Sequence, residues 1–206
     1  HAKQRRLLES QQRNHEWRHA TSATVKESNA VIYGVGSIGR TVGKTLTKLG
    51  LHVRGIDPYT SVAEGFECIY RNADMREAVA WSDYFIICAP LTEQTRHSVN
   101  AEIFDAMKAS CHVINVGRGP IIDETALVQA LTSGSIGSAS LDVFETEPLP
   151  SDNPLWEMEN VHISPHISGD AGDFELALIR QFADLADMWF HGHDFPSAVD
   201  KKRGYG

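Results

Sequence analysis

The amino-acid sequence predicts an α/β protein built on one doubly wound parallel sheet, and three observations carry that prediction. From Ala30 onward, short apolar runs alternate with longer helical stretches, the pattern of strands covered on both faces by crossover helices. The first apolar run leads directly into a glycine-rich turn, GVGSIG, with Gly34, Gly36 and Gly39 opening the next helix. The 206 residues are 42% hydrophobic, enough to build a core for one domain with appendages.

Taken in order, residues 4–18 (QRRLLESQQRNHEWR) lack Pro and Gly and are rich in helix formers, so a helix is expected, with Leu7 and Leu8 as its apolar side. So thin a stripe cannot stabilise a helix alone; it has to pack on this chain, on a further domain or on a second subunit. Residues 21–28 form a polar connector. Strands are expected at 30–35, 52–56, 68–70, 84–88, 112–116, 138–143 and 161–164. Helices are expected between them at 38–49, 75–80, 101–107 and 124–132. GSIGSAS at 134–140 reads as a tight lead into a strand rather than a helix. Residues 174–190 place Leu176, Ile179, Phe182, Ala183, Ala186 and Phe190 at helical spacing, which serves equally a packing helix or one joining two domains. There is no internal repeat.

Composition narrows the function classes. A formal charge of −8 disfavours a sequence-independent nucleic-acid binder, which needs a basic surface. No apolar run approaches the ~20 residues needed to cross a bilayer, so a soluble protein with no membrane partner is expected. Cys68, Cys88 and Cys111 are odd in number and far apart, which indicates neither a disulfide framework nor a metal site and fits a reducing cytoplasm. The chain begins at His1 rather than Met, so targeting segments cannot be judged.

A lone GxGxxG is weak evidence, because glycines serve any tight turn. Here Gly34 ends a hydrophobic strand, Gly36 lets backbone approach a pyrophosphate, and Gly39 lets the helix pack on the sheet. The helix-start amides at Ser37 and Ile38 favour an anion without any basic residue. Asp57 ends the second strand, before Pro58, where a carboxylate can accept hydrogen bonds from the adenosine ribose hydroxyls. A 2′-phosphate would meet like charge there, which favours NAD over NADP, although Arg54 could offset the repulsion. The bland alternative is a Gly-rich turn followed by an Asp-Pro turn.

Three further segments leave strands at the same carboxyl edge, where ligands of open sheets bind. CAPLTEQT carries Ala89, Pro90 and Thr92, and could also be an ordinary turn. NVGRG carries Val116, Gly117 and Arg118; a guanidinium beside a nicotinamide can pair with a substrate carboxylate, though a lone Arg is more often solvent-exposed or salt-bridged. LDVFETEPLP holds Asp142 and Glu147, and SPHISG holds His166 and Gly169. A carboxylate hydrogen-bonded to an imidazole raises its pKa and orients it as a proton donor to a carbonyl. Alone, His166 is one of ten histidines and Glu147 a turn carboxylate.

GVGSIG, Asp57, CAPLT, NVGRG, LDVFETEPLP and SPHISG stand in the order and spacing of the D-isomer-specific 2-hydroxyacid dehydrogenases, and residues 30–170 resemble that family's Rossmann-type NAD-binding domain. The resemblance implies that Arg118 binds and polarises a small 2-oxo acid, His166 is the acid/base, Glu147 partners His166 and Asp142 holds the nicotinamide carboxamide. It implies three parts: residues 1–28 as an interdomain and dimer-contact helix with its connector, 29–172 as the cofactor domain, and 173–206 as a helix and tail returning towards a substrate domain. A homodimer through the cofactor domain is expected. Family members carry further N-terminal residues forming most of a flavodoxin-like substrate domain, and none precede His1. The chain is therefore expected to be a truncated or proteolysed product that binds NAD with little or no turnover. SGDAGD at 168–173 departs from the Gly/Thr-containing sequence common after the family's histidine. The rival expectation is a non-enzymatic, NAD-sensing interaction module on the same fold; a different Rossmann enzyme would not require Arg118, Glu147 and His166 in this order.

Overall fold

Seven strands form where short apolar runs were expected: β1 (Asn29–Tyr33), β2 (His52–Ile56), β3 (Ile69–Tyr70), β4 (Tyr84–Ile87), β5 (His112–Asn115), β6 (Ser138–Leu141) and β7 (Val161–Ile163). The computed structural model describes residues 5–170 and 172–194. The strands make one sheet ordered β3-β2-β1-β4-β5-β6-β7, with every neighbouring pair parallel. The winding reverses between β1 and β4, so crossovers run on both faces and all strands point their carboxyl ends to one edge.

Side-chain alternation divides the core between those faces. In β1, Val31 and Tyr33 join Phe85, Ile87, Val113 and Leu141 in the larger cluster, whereas Ala30 and Ile32 join Val53 and Ile86 in the smaller. The larger cluster is closed by α3 (Met75–Ala80), α4 (Ala101–Ala106) and α5 (Glu124–Ser133), the smaller by α2 (Ser37–Lys48) through Val42 and Leu46. Asn100 and Asp123 cap α4 and α5 by accepting from the Ile103 and Ala126 amides. Gly134, at φ 77, ends α5 in the left-handed conformation and leads into β6 as expected.

Two expectations shift. Val35, Cys88, Val116 and Val143 lie just beyond their strands, because the backbone leaves the ladder there to enter the edge turns. The first helix, α1 (Arg5–Arg13), ends earlier than residue 18; His15 takes a left-handed φ of 55. Beyond Leu8 no apolar residue at helical spacing holds a further turn. Residue 4 and the tail 195–206, expected to return to a substrate domain, lie outside the described residues.

The chain divides into two compact units, His1–Pro165 and His166–Gly206. The first contains α1 and the whole sheet. Among the described residues of the second, α6 (Phe174–Phe190) is the sole regular element, and Gly192, at φ 71, follows its end.

One buried polar cluster stitches β5 to β6. His112, 3% exposed, lies with Nδ1 2.7 Å from Ser138 Oγ and Nε2 2.9 Å from Ser140 Oγ. Burial pushes its pKa down to about 4, so the ring is neutral at pH 7.

Candidate active site

The three glycines of the first turn meet three different surroundings. Gly34 has φ 93, and a Cβ there would fall 2.6 Å from the Ala89 backbone. A Cβ at Gly39 would lie 2.0 Å from the Gly34 carbonyl oxygen, so its absence lets α2 close onto β1. Gly36 is the opposite case: nothing lies within 4 Å of an added Cβ. It is the N-cap of α2, and no side chain caps that helix. Open space over uncapped helix-start amides fits a dinucleotide pyrophosphate. Ile38, 60% exposed in the first turn of α2, offers an apolar surface beside it.

Asp57 closes the turn from the other side. Its Oδ2 accepts the Val35 N–H at 2.9 Å, and its Oδ1 accepts the Tyr59 and Thr60 N–H groups at 2.9 and 2.7 Å. The carboxylate therefore ties the glycine turn to the segment after β2, a role that motif reading did not include. Arg54 turns away: its guanidinium stacks 3.9 Å from the Trp81 ring centroid and reaches Glu67 and Tyr70. The guanidinia beside the Asp57 turn belong instead to Arg40, which donates to the Val35 carbonyl, and to Arg71, which donates to the Asp57 and Thr60 carbonyls.

The next turns are set by backbone packing. Gly117 lies so close to the Ala89 carbonyl that a Cβ would fall 2.8 Å from it, while Gly34 occupies the Cα side of the same residue. Gly119 abuts the peptide between Phe144 and Glu145, where a Cβ would fall 1.8 Å from the carbonyl oxygen. A continuous run of backbone contacts therefore links the glycine turn, the Ala89 turn, the Arg118 turn and the Glu147 turn. Arg118 is exposed, and its NH1 donates to its neighbour's Gly117 carbonyl at 2.6 Å. Glu147 is exposed, precedes a cis peptide to Pro148, and accepts the Phe144 N–H on Oε1 at 2.9 Å. Asp142, 3% exposed, accepts from Ser164 Oγ, which joins the ends of β6 and β7. Thr92 accepts the Thr95 N–H at 3.2 Å within its own turn. Arg118, Glu147, Asp142, Thr92 and the glycines thus share one edge of the first unit. His166 opens the second unit, exposed and with a left-handed φ of 55, and Gly169 follows, with nothing within 4 Å of an added Cβ. A non-glycine residue held at positive φ is uncommon and recurs at functional positions.

The family description "D-isomer specific 2-hydroxyacid dehydrogenase, NAD binding domain" matches residues 1–168. The chain belongs to this family. A D-isomer specific 2-hydroxyacid dehydrogenase of Xanthobacter autotrophicus Py2, solved in complex with NADPH and MES, superposes with a TM-score of 0.90 at 34% identity, over 100% of this chain and 84% of that one. Glyoxylate/hydroxypyruvate reductase B of Cronobacter sakazakii is 50% identical over 97 residues, covering 47% of this chain and 30% of the reductase. D-3-phosphoglycerate dehydrogenase of Methanocaldococcus jannaschii is 41% identical over 139 residues, covering 66% of this chain and 26% of that enzyme. The matches thus span under a third of these two relatives' own length.

As an NAD(P)-binding domain of the 2-hydroxyacid dehydrogenases, the chain shows supporting residues that motif reading passed over. Asn115, 1% exposed, accepts the Gly117 N–H on Oδ1 at 3.0 Å and donates from Nδ2 to the Arg118 carbonyl at 3.1 Å, bracketing the arginine turn. Thr95 Oγ1 donates to the Pro90 carbonyl at 2.7 Å and accepts the Thr92 N–H at 2.8 Å. The available signal was an amide or hydroxyl residue at one end of each turn, a common way of bonding nearby backbone. Burial pushes the Cys88 and Cys111 thiols up to about 11, which leaves neither as a nucleophile at neutral pH. Among the described residues no cluster of three or more His, Cys, Asp or Glu could hold a metal ion, and no helix is long and apolar enough to cross a membrane.

Proposed function

We propose that this protein is an NAD-dependent oxidoreductase that interconverts a small 2-oxo acid and its D-2-hydroxy acid. The observation that carries the reading is the run of backbone contacts through Gly34, Ala89, Gly117, Gly119 and Phe144, which sets the turns of Arg118 and Glu147 beside a dinucleotide turn. Arg118 exchanges the Gly117 carbonyl for the substrate carboxylate and polarises the adjacent carbonyl. His166 donates a proton to that carbonyl oxygen in reduction and removes it in oxidation, and Glu147 orients the imidazole. When bound, the nicotinamide supplies or accepts the hydride. Asp142 holds the carboxamide, and Gly36, Ser37 and Ile38 the pyrophosphate.

The relatives' names support small oxo and hydroxy acids as the substrate class. Asp57 supports NAD, since its carboxylate stands where a 2′-phosphate would add like charge. NADP is the second reading, favoured by Arg40 and Arg71 at the same turn and by the NADPH bound to the Xanthobacter relative. The exposed Leu7, Leu8 and Trp17 support a homodimer, and three unpaired, separated cysteines a cytoplasmic setting.

The test is a panel of 2-oxo acids with NADH and NADPH, using protein expressed from the complete reading frame. One member should be reduced with NADH, and His166→Gln should collapse kcat at least a hundredfold with little change in NADH affinity. Near-normal turnover in that variant removes His166 from its role. An NADH-dependent change in mass without turnover on any acid would favour the interaction module.

A further inference from the structure

The turns after β5 and β6 are joined by a reciprocal exchange between two acidic residues far apart in sequence. The Glu124 N–H donates to Glu145 Oε1 at 3.2 Å, and the Glu145 N–H donates to Glu124 Oε2 at 3.1 Å. Each carboxylate has another partner that offsets their mutual repulsion. Asn153 Nδ2 donates to Glu124 Oε1 at 2.7 Å, and His97 Nε2 lies 2.8 Å from Glu145 Oε1. His97 is held in turn: its N–H donates to the Pro120 carbonyl, and the following Val99 exchanges bonds with Ile121 and Asp123.

This polar network is not needed to start α5, whose N-terminus Asp123 already caps. Nor does apolar burial fix the turn it grips, because residues 145–148 are exposed. The gripped turn also carries Glu147, two residues beyond Glu145, whose Oε1 accepts the Phe144 N–H. We infer that Glu124 and Glu145, anchored by Asn153 and His97, are positioning residues that hold the Glu147 carboxylate in register with the Arg118 turn. The inference deepens the proposed role of Glu147, and its central measurement does not depend on that role.

The experiment is amide hydrogen exchange by NMR on the 206-residue chain, with the Phe144 N–H as reporter. Glu147→Ala removes its acceptor and should speed Phe144 exchange about tenfold, the scale of one lost hydrogen bond to a charged group. Glu145→Ala and Glu124→Ala should each reproduce at least about half of that effect on a logarithmic scale, with the Val113 amide of β5 unchanged. Glu145→Gln keeps an acceptor for the Glu124 N–H and should restore most of the protection. Unchanged Phe144 exchange in Glu145→Ala and Glu124→Ala overturns the inference; so does unchanged exchange in Glu147→Ala, since no held carboxylate would then exist. The His166 titration, followed in the same spectra, separates the two levels. If Glu147→Gln leaves its midpoint in place, the pairing of Glu147 with His166 fails while the ties stand or fall on Phe144.

Discussion

His112 makes the stability of the sheet depend on pH with a predictable sign and size. Its ring is buried between β5 and β6, the strands that feed the Arg118 and Asp142 turns, with both nitrogens against serine hydroxyls. Burial, with His162 nearby, lowers its pKa from 6.5 to about 4. The unfolded chain therefore takes up this proton first as pH falls. Stabilisation is complete above 6.5, is lost progressively between 6.5 and about 4, and changes no further below that. At 1.36 kcal/mol per pH unit the interval amounts to roughly 3 kcal/mol. His112→Gln carries no titratable group, so the difference between wild type and variant isolates the histidine from every carboxylate that titrates in the same range. With a urea slope of about 2 kcal/mol/M, the wild type's advantage in unfolding midpoint should shrink by roughly 1.5 M between pH 7.5 and 4. Parallel loss of stability in the two proteins over that interval would show that His112 protonates as readily folded as unfolded, and would refute the argument.

The glycine turn predicts a dissociation between stability and binding. Gly39→Ala, whose Cβ would meet the Gly34 carbonyl oxygen, should cost about 1 to 3 kcal/mol and lower Tm by several degrees in a thermal melt. Gly36→Val points into open space and should cost only its poorer N-cap preference, about 1 kcal/mol, while weakening dinucleotide binding at least tenfold by calorimetry. Asp57→Asn removes charge from the ribose end of the site and should narrow an NADH-over-NADPH preference about tenfold, measured as the ratio of the two Kd values. The same variant should also lose Tm, because an amide nitrogen cannot replace a carboxylate oxygen towards all three backbone N–H donors that Asp57 now accepts.

The sheet was legible because its strands are covered on both faces and therefore appear as apolar runs, which period and length distinguish from the intervening helices. Helices α3 and α6 fall on the expected residues, 75–80 and 174–190. The end of α1 was not legible, because a charged segment with two apolar anchors has no periodicity to stop. Arg54 illustrates a second limit. Sequence proximity makes it a neighbour of Asp57, yet alternation along β2 and the attraction of the Trp81 face direct it elsewhere, and Arg40 and Arg71 reach the turn from distant positions.

The glycines after β5 show how much of such a site is backbone geometry rather than chemistry-bearing side chains. In NVGRG the arginine draws attention, but Gly117 and Gly119 on either side of it make the close contacts, one with the Ala89 carbonyl and one with the Phe144–Glu145 peptide. Any Cβ at either position would have to push two strand-end turns apart, and a displacement of about 1 Å is enough to weaken a catalytic arrangement substantially. Asn115 then fixes the arginine turn by bonding the residues immediately before and after the bend. The exposed Arg118 side chain donates to its neighbour's carbonyl, a bond it can leave by turning outward, while its backbone is held. Fixed backbone with a movable guanidinium would suit the carboxylate capture proposed for Arg118.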